Sequence, residues 1–514
     1  MNAERIINLS LVSHTNAGKT TLVRTLLGQD VGEVRDAAHV TEAATGYVLL
    51  QAGGDTLMLW DTPGFGDTAR LVGRLRQAGN PIGWFLTQVW DRWRDRPLWS
   101  SQQAIRNARD EADVILYLVN AAEDPAAATY IPLEMEVLEW IGKPILLLLN
   151  QVGAPSEQSR TEEERWRQTV AERPLVRGVV TLDAFARCWV QEGELLDSVA
   201  PLLPAEQQGP LATIAGAWAA RNLQRFHASM QVLAAQLASA VTDREEIGER
   251  KLTDRLRGAI MHPVAGDSSP QGERAMGKLA ERLDVLIRRS TDELIALHGL
   301  AGRAAGEVLK RMRDDFRETA PAREGVATVL GGLVSGAAGG LAADLAVGGL
   351  TLGGGMFIGS VLGAFGAKTA ARGYNMTVAG GSDANAVRWS DEFLAGLIRA
   401  ALLRYLAVAH FGRGRGQWEE GEHPAHWSEA VDRALEPERG AINAAIGKRK
   451  EGEAAVEHAL EAVLARTARR LLLGLYPEAE AIFRNEERLT AAGAATMIGA
   501  EESGASTPAR HQLS

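Results

Sequence analysis

Residues 6–21 read IINLSLVSHTNAGKTT. An apolar run at 6–12 leads into Ser13-His14-Thr15-Asn16-Ala17-Gly18-Lys19-Thr20, and a helical run follows from Thr21 to Leu27. Strand, G-x-x-x-x-G-K-[ST] loop and helix in that order is the phosphate-binding loop, here with Ser13 where the first glycine is usual. The chemistry sets the spacing. Successive backbone N–H groups curl around phosphate oxygens, and the helix N-terminus adds partial positive charge. Gly18 lets the backbone come close, Lys19 is placed to bridge phosphate oxygens, and the Thr20 hydroxyl is placed to bind Mg²⁺. Asn16, Ala17 and Thr21 complete the expected cradle.

The loop fixes the architecture around it. Short apolar runs recur at 6–12, 47–50, 57–60, 114–119, 145–149 and 179–182, separated by helical patterns. That alternation predicts an α/β domain with a mostly parallel sheet and helices on both faces. Pro201, Pro204 and Pro210 mark a boundary. Beyond it the pattern is all-α. Leu223, Phe226, Met230, Leu233 and Leu237 share one helix face; so do Phe393, Leu394, Leu397, Ile398, Leu402 and Tyr405; so do Leu460, Val463, Leu464, Thr467 and Leu471. A chain of 514 residues exceeds what one core holds, about 250–300 residues. The expected division is a P-loop domain at 1–200 with a tryptophan-rich extension at 66–113, a helical region at 211–324, a glycine-rich apolar hairpin at 325–372, a second helical region at 373–490 and a disordered tail at 491–514. Net charge is −10 and Cys188 is the single cysteine. Bulk positive charge for nucleic-acid binding, a disulfide framework and a cysteine-rich zinc site are excluded. No nucleic-acid partner is expected.

A second motif lies 42 residues past Lys19, where Leu57-Met58-Leu59-Trp60 ends in Asp61-Thr62-Pro63-Gly64. At this distance from a phosphate loop, Asp61 reads as the residue that holds Mg²⁺ through water, and the Gly64 N–H as the group that meets a γ-phosphate. With Asn16-Ala17-Gly18-Lys19-Thr20 matching N-x-G-K-[ST], the chain resembles the translation-factor-related GTPases of the Era and TrmE branch. The resemblance implies a G domain that binds GTP and GDP with Mg²⁺. It implies a switch I threonine at Thr41, with Thr45 as the alternative, completing the metal shell only when a γ-phosphate is present. It gives Asn16 two readings, a ligand to a catalytic K⁺ or a structural hydrogen-bonding residue of the loop. The branch's N-K-x-D base motif is matched by Asn150, while Gln151 and Gly153 depart from it. Asp183, after the next strand, is the candidate substitute for the missing aspartate. The position that some GTPases fill with a water-orienting glutamine holds Phe65. Slow hydrolysis is the expectation, with Lys19 and Thr41 as the catalytic candidates.

Two further segments carry information. After the D-x-x-G turn come Trp84, Trp90, Trp93 and Trp99 with Arg92, Arg94 and Arg96, read either as helices packed on the G domain or as a nucleotide-sensitive surface. Between Gly325 and Ala367 the only charge is Asp344, and Gly332, Gly336 and Gly340 are spaced by four, as are Gly355, Gly359 and Gly363. Two glycine faces of this kind let helices approach through backbone contacts. The readings are a membrane-inserting hairpin and a buried hairpin of the helical domain. The phosphate loop, the DTPG turn, the degenerate base motif at Asn150 and the run DLAVGGLTLGGG together resemble a bacterial family of GTPase and DUF3482 domain-containing proteins. The expectation is a nucleotide switch, cytoplasmic and associated with the inner membrane or a membrane-protein partner through 325–372, and able to form a homo-oligomer. The alternatives are a membrane-anchored scaffold with a weakly catalytic G domain and a dynamin-like remodeller.

Overall fold

The computed structural model describes residues 5–27, 44–77, 79–88, 95–150, 157–182, 188–246, 270–300, 376–378, 386–410 and 423–484. Thr41, Gln151, Gly153, Asp183, Trp90, Trp93, Arg92, Arg94, the hairpin at 325–372 and the tail at 491–514 lie outside them. The described residues fall into two compact units. The first takes those of Met1–Ala184, Cys188–Gln224 and Tyr476–Ser514; the second takes those of Arg225–Leu475.

In the first unit, β1 (Ile6–Ser13), α1 (Lys19–Leu27), β2 (Thr45–Ala52) and β3 (Asp55–Asp61) are followed by three helices, α2 (Thr68–Leu75), α3 (Pro81–Thr87) and α4 (Arg96–Asp110). Then come β4 (Val114–Asn120), α5 (Tyr130–Ile141), β5 (Ile145–Asn150), α6 (Glu157–Val170) and β6 (Val176–Thr181). The sheet order is β2-β3-β1-β4-β5-β6. Every pair is parallel except β2 with β3. Strands covered on both faces read as continuous apolar runs; β4 and β5 are buried almost throughout. The outer strand β2 is partly exposed along its length.

The segment after the D-x-x-G turn forms α2, α3 and α4. Asp67 caps α2 through the Arg70 N–H, and Asn80 caps α3 ahead of Pro81 at its first turn. Gln102 of α4 donates to the carbonyls of Phe85 and Gln88, which closes the end of α3.

The unit is completed by α7 (Trp189–Val199), by the first part of α8 (Ala205–Thr242) and by a late return of the chain. Pro210 sits inside α8. Proline has no N–H to give the carbonyl four residues earlier, and Arg5 Nη1 donates to that carbonyl, Glu206 O. On the return, Phe483 is 1% exposed and meets the edge of the Trp189 ring, 5.8 Å away between centroids. A Cβ at Gly193 would lie 2.6 Å from Ile482 Cδ1.

The second unit is helical, as the stripes predict, and the residues of all three stripes are buried. It adds a small antiparallel sheet of order β7-β9-β8: β7 (Arg244–Glu246), β8 (Met376–Val378) and β9 (Ala386–Trp389). Strands this short show no alternation that a sequence reading can detect. Its core holds Arg404, 3% exposed, which donates to Ile287 O, Ser290 Oγ, Thr291 Oγ1 and Gln236 Oε1. All four acceptors are neutral, and burial lowers its pKa to about 10.

Candidate functional site

The loop between β1 and α1 owes its shape to two residues with positive φ, Asn16 at 69° and Gly18 at 92°. Among the described residues Asn16 is the only non-glycine in that region. Asparagine tolerates it better than most side chains. At Gly18 an added Cβ would meet Asn150 Nδ2 at 2.8 Å. Asn150 is fully buried at the end of β5, and its amide donates to Ala17 O at 3.1 Å. The residue expected at a base therefore also braces the phosphate loop. Thr21 is buried in the first turn of α1.

Lys19 begins α1 and is 7% exposed. Its Nζ donates to Ser13 Oγ at 2.7 Å. The serine that departs from the glycine pattern thus supplies an acceptor for the lysine. Burial lowers the Lys19 pKa to about 8, against the opposing pull of Asp61 and Glu134. A fall from 10.5 to about 8 is roughly 3 kcal/mol against the charged form. An anion beside the ammonium would relieve that.

Thr20 Oγ1 donates to Asp61 Oδ2 at 2.7 Å, and Asp61 is 2% exposed. A hydroxyl and a carboxylate brought together at a helix start are hard oxygen donors. They fit Mg²⁺, which uses one or two protein ligands and takes the rest from phosphates and water. Among the described residues there is no cluster of three or more His, Cys, Asp or Glu, and this mode of binding needs none. Thr45, the alternative switch I residue, opens β2 in register with Asp61.

The turn after Asp61 is pinned against the phosphate loop. Phe65 N–H donates to Ser13 O at 2.9 Å, Thr15 N–H to Phe65 O at 3.2 Å and Thr15 Oγ1 to Phe65 O at 2.6 Å. Gly64 is needed there, because a Cβ would lie 2.8 Å from Thr15 Cα and 3.1 Å from Lys19 Nζ. Phe65 itself is fully buried, in the core that includes Val12, Leu71 and Leu98. Its ring is a structural anchor of the turn. Phe65→Gln is therefore expected to lower stability by about 3 kcal/mol, from lost burial and a buried amide. It should bring no gain in single-turnover hydrolysis; thermal melting and a phosphate-release assay check both.

Sequence reasoning missed a group behind the loop. His14 stacks on Tyr130 with ring centroids 4.2 Å apart, and its Nδ1 lies 2.6 Å from Glu134 Oε1. Glu134 is fully buried and also accepts from Thr68 Oγ1 at 3.0 Å and Tyr117 Oη at 2.6 Å. The available signal was a glutamate between Ile131 and Leu138, within the apolar stripe of α5.

The sheet order and the loop define a P-loop GTPase domain. A family model described as "50S ribosome-binding GTPase" matches residues 8–151. The chain belongs to the family described as "Domain of unknown function (DUF3482)", whose model matches residues 171–466, more than half of the chain. GTPase Era of Heliobacterium modesticaldum is 25% identical over 169 residues, 33% of this chain. The chain spans 47% of that curated relative's length. Among solved structures, Era in complex with MgGDPNP and nucleotides 1506–1542 of 16S ribosomal RNA is similar at 18% identity, covering 39% of this chain and 58% of that one, with a TM-score of 0.30. An Aquifex aeolicus Era variant bound to GDP and AlF4⁻ is similar at 16% identity, covering 58% and 100%, also at 0.30. Toc33 from Arabidopsis thaliana with GDP and Mg²⁺ is similar at 15% identity, covering 36% and 73%, at 0.23.

Proposed function

We propose that this chain is a Mg²⁺-dependent GTP-binding switch that hydrolyses GTP slowly and acts through its helical DUF3482 region. The observation that carries the reading is the convergence of Lys19, Thr20, Asp61 and Gly64 on one loop, with a partly desolvated ammonium at its centre. Thr20 and Asp61 would hold Mg²⁺, which supplies charge neutralisation between phosphate oxygens when bound. Thr41 would join them in the triphosphate state, and Asp183 would contact the base. Guanine preference rests on the match to the GTPase family. The buried Phe65 ring favours slow turnover, because it leaves the water-orienting role to another group, to K⁺ or to a partner. Among the described residues no helix is long and apolar enough to cross a membrane. Docking of 325–372 on a membrane or membrane protein therefore rests on its composition alone, as do inner-membrane association and homo-oligomerisation.

Titration of the full-length protein with GTP, GDP and ATP, with and without Mg²⁺, tests the reading. Absence of Mg²⁺-dependent affinity for any of the three would end it. The same titration has an expected pH signature. Free Lys19 loses its proton near pH 8, while phosphate at its side favours the ammonium. Binding then takes up a proton above that pH. Affinity should be about tenfold weaker at pH 9 than at pH 7.

A further inference from the structure

The carboxylate of Glu134 belongs to none of the motifs, yet it receives donors from three separate segments. Tyr117 of β4 occupies Oε2. Its hydroxyl is held protonated, well above the ordinary tyrosine range, by burial and by Glu134 itself, so it stays a donor. Oε1 takes the other two. His14 comes from the phosphate loop and places its Nδ1 2.6 Å from this oxygen. Thr68 is the first residue of α2, directly after the D-x-x-G turn. Thr68 is 4% exposed, and its hydroxyl also lies 3.3 Å from Gly66 O.

One buried oxygen thus joins the loop expected to carry phosphate to the helix that follows the turn expected to sense it. Movement of either segment by an ångström would lengthen or break a hydrogen bond to a fully buried carboxylate, and the Thr68 bond is itself buried. The His14 ring is clamped further by its stack on Tyr130, whose hydroxyl donates to Glu123 at 2.7 Å. The main-chain bridge between His14 and Phe65 runs beside this link.

We propose that Glu134 is a positioning residue that makes α2 respond to what the phosphate loop holds, by tying His14 and Thr68 to one carboxylate oxygen. The proposal rests on the nucleotide-binding reading above and assigns that site its route of communication. Glu134 does not touch the reacting atoms; it acts through the loop and the helix. Thr68→Val keeps the shape and deletes the donor, Thr68→Ser restores it, and Glu134→Met removes the acceptor at similar volume.

The experiment uses the full-length protein with GDP and with GTPγS, and reads amide hydrogen exchange across residues 68–75. In the unaltered protein GTPγS should slow exchange there at least tenfold relative to GDP. In Thr68→Val and Glu134→Met that difference should fall within twofold, with GDP affinity kept within threefold in Thr68→Val, which leaves the charge near Lys19 in place. Thr68→Ser should keep the tenfold difference. The double variant should be no worse than the more affected single one, because both cut the same link. The proposal is overturned if Thr68→Val retains the tenfold difference. It is also overturned if Thr68→Val loses GDP affinity and thermal stability together and Thr68→Ser does not restore them, which is the mark of a merely structural role. An unaltered protein that binds both nucleotides with equal exchange overturns it as well. Failure of the unaltered protein to bind either nucleotide, seen in the first titration, would instead sink the nucleotide reading.

Discussion

Lys19→Met should weaken nucleotide binding by at least 100-fold and leave the free protein at least as heat-resistant as its parent. The two halves of this expectation have one cause. The ammonium is buried, and its pKa of about 8 records a charged form that costs more in desolvation than Asp61 and Glu134 return. Methionine fills the same volume without that cost, so the loss of Ser13 as a partner is offset. Binding is different. Charge-assisted hydrogen bonds to phosphate oxygens are worth about 1.5–3 kcal/mol each, and two of them lost corresponds to a hundredfold or more. Isothermal titration and thermal melting at pH 7 give both numbers. A variant that binds within threefold of the parent would show that the lysine is not at the ligand. A variant that melts well below it would show that the lysine is part of the scaffold.

Gly18→Ala should cost about 30- to 100-fold in nucleotide affinity. The backbone there has φ 92°, and the added methyl would stand 2.8 Å from Asn150 Nδ2. An L-residue in the left-handed region costs about 1–2 kcal/mol. The Asn150 amide can retreat only by giving up its bond to Ala17 O, about 1 kcal/mol more. The free loop relieves this by reshaping, and binding must then restore the cradle. A fluorescent-nucleotide titration of Gly18→Ala against the parent measures the loss. Unchanged affinity in Gly18→Ala would mean that the loop does not wrap its ligand through this residue.

The sheet and the phosphate loop were legible because each rests on local pattern. Central strands covered on both faces are apolar runs, and the loop has an invariant chemistry of spacing. Ser13 and Asn16 were legible as residues and not as roles. One departs from the motif and proves to be the acceptor for Lys19; the other takes a positive φ that no periodicity reveals. The Glu134 link was invisible for a different reason. His14 and Glu134 are 120 residues apart, and only the tertiary fold, which brings α5 beside α2 and its Glu134 to the loop after β1, makes them partners. The short strands β7, β8 and β9 escape any periodicity argument at three or four residues each.

The late return of the chain has a practical meaning. Ile482 and Phe483 help close the unit that carries Lys19, although some 460 residues separate them from it. The helical region is therefore spliced into the GTPase unit, entered at Arg225 and left at Leu475. Cutting the gene after residue 200 yields a fragment missing part of its own interior. A fair test of the isolated nucleotide unit needs an internal excision with the two flanks rejoined. By the same token, the helical region is joined to the nucleotide unit by two covalent attachments, so its own excision needs two cuts.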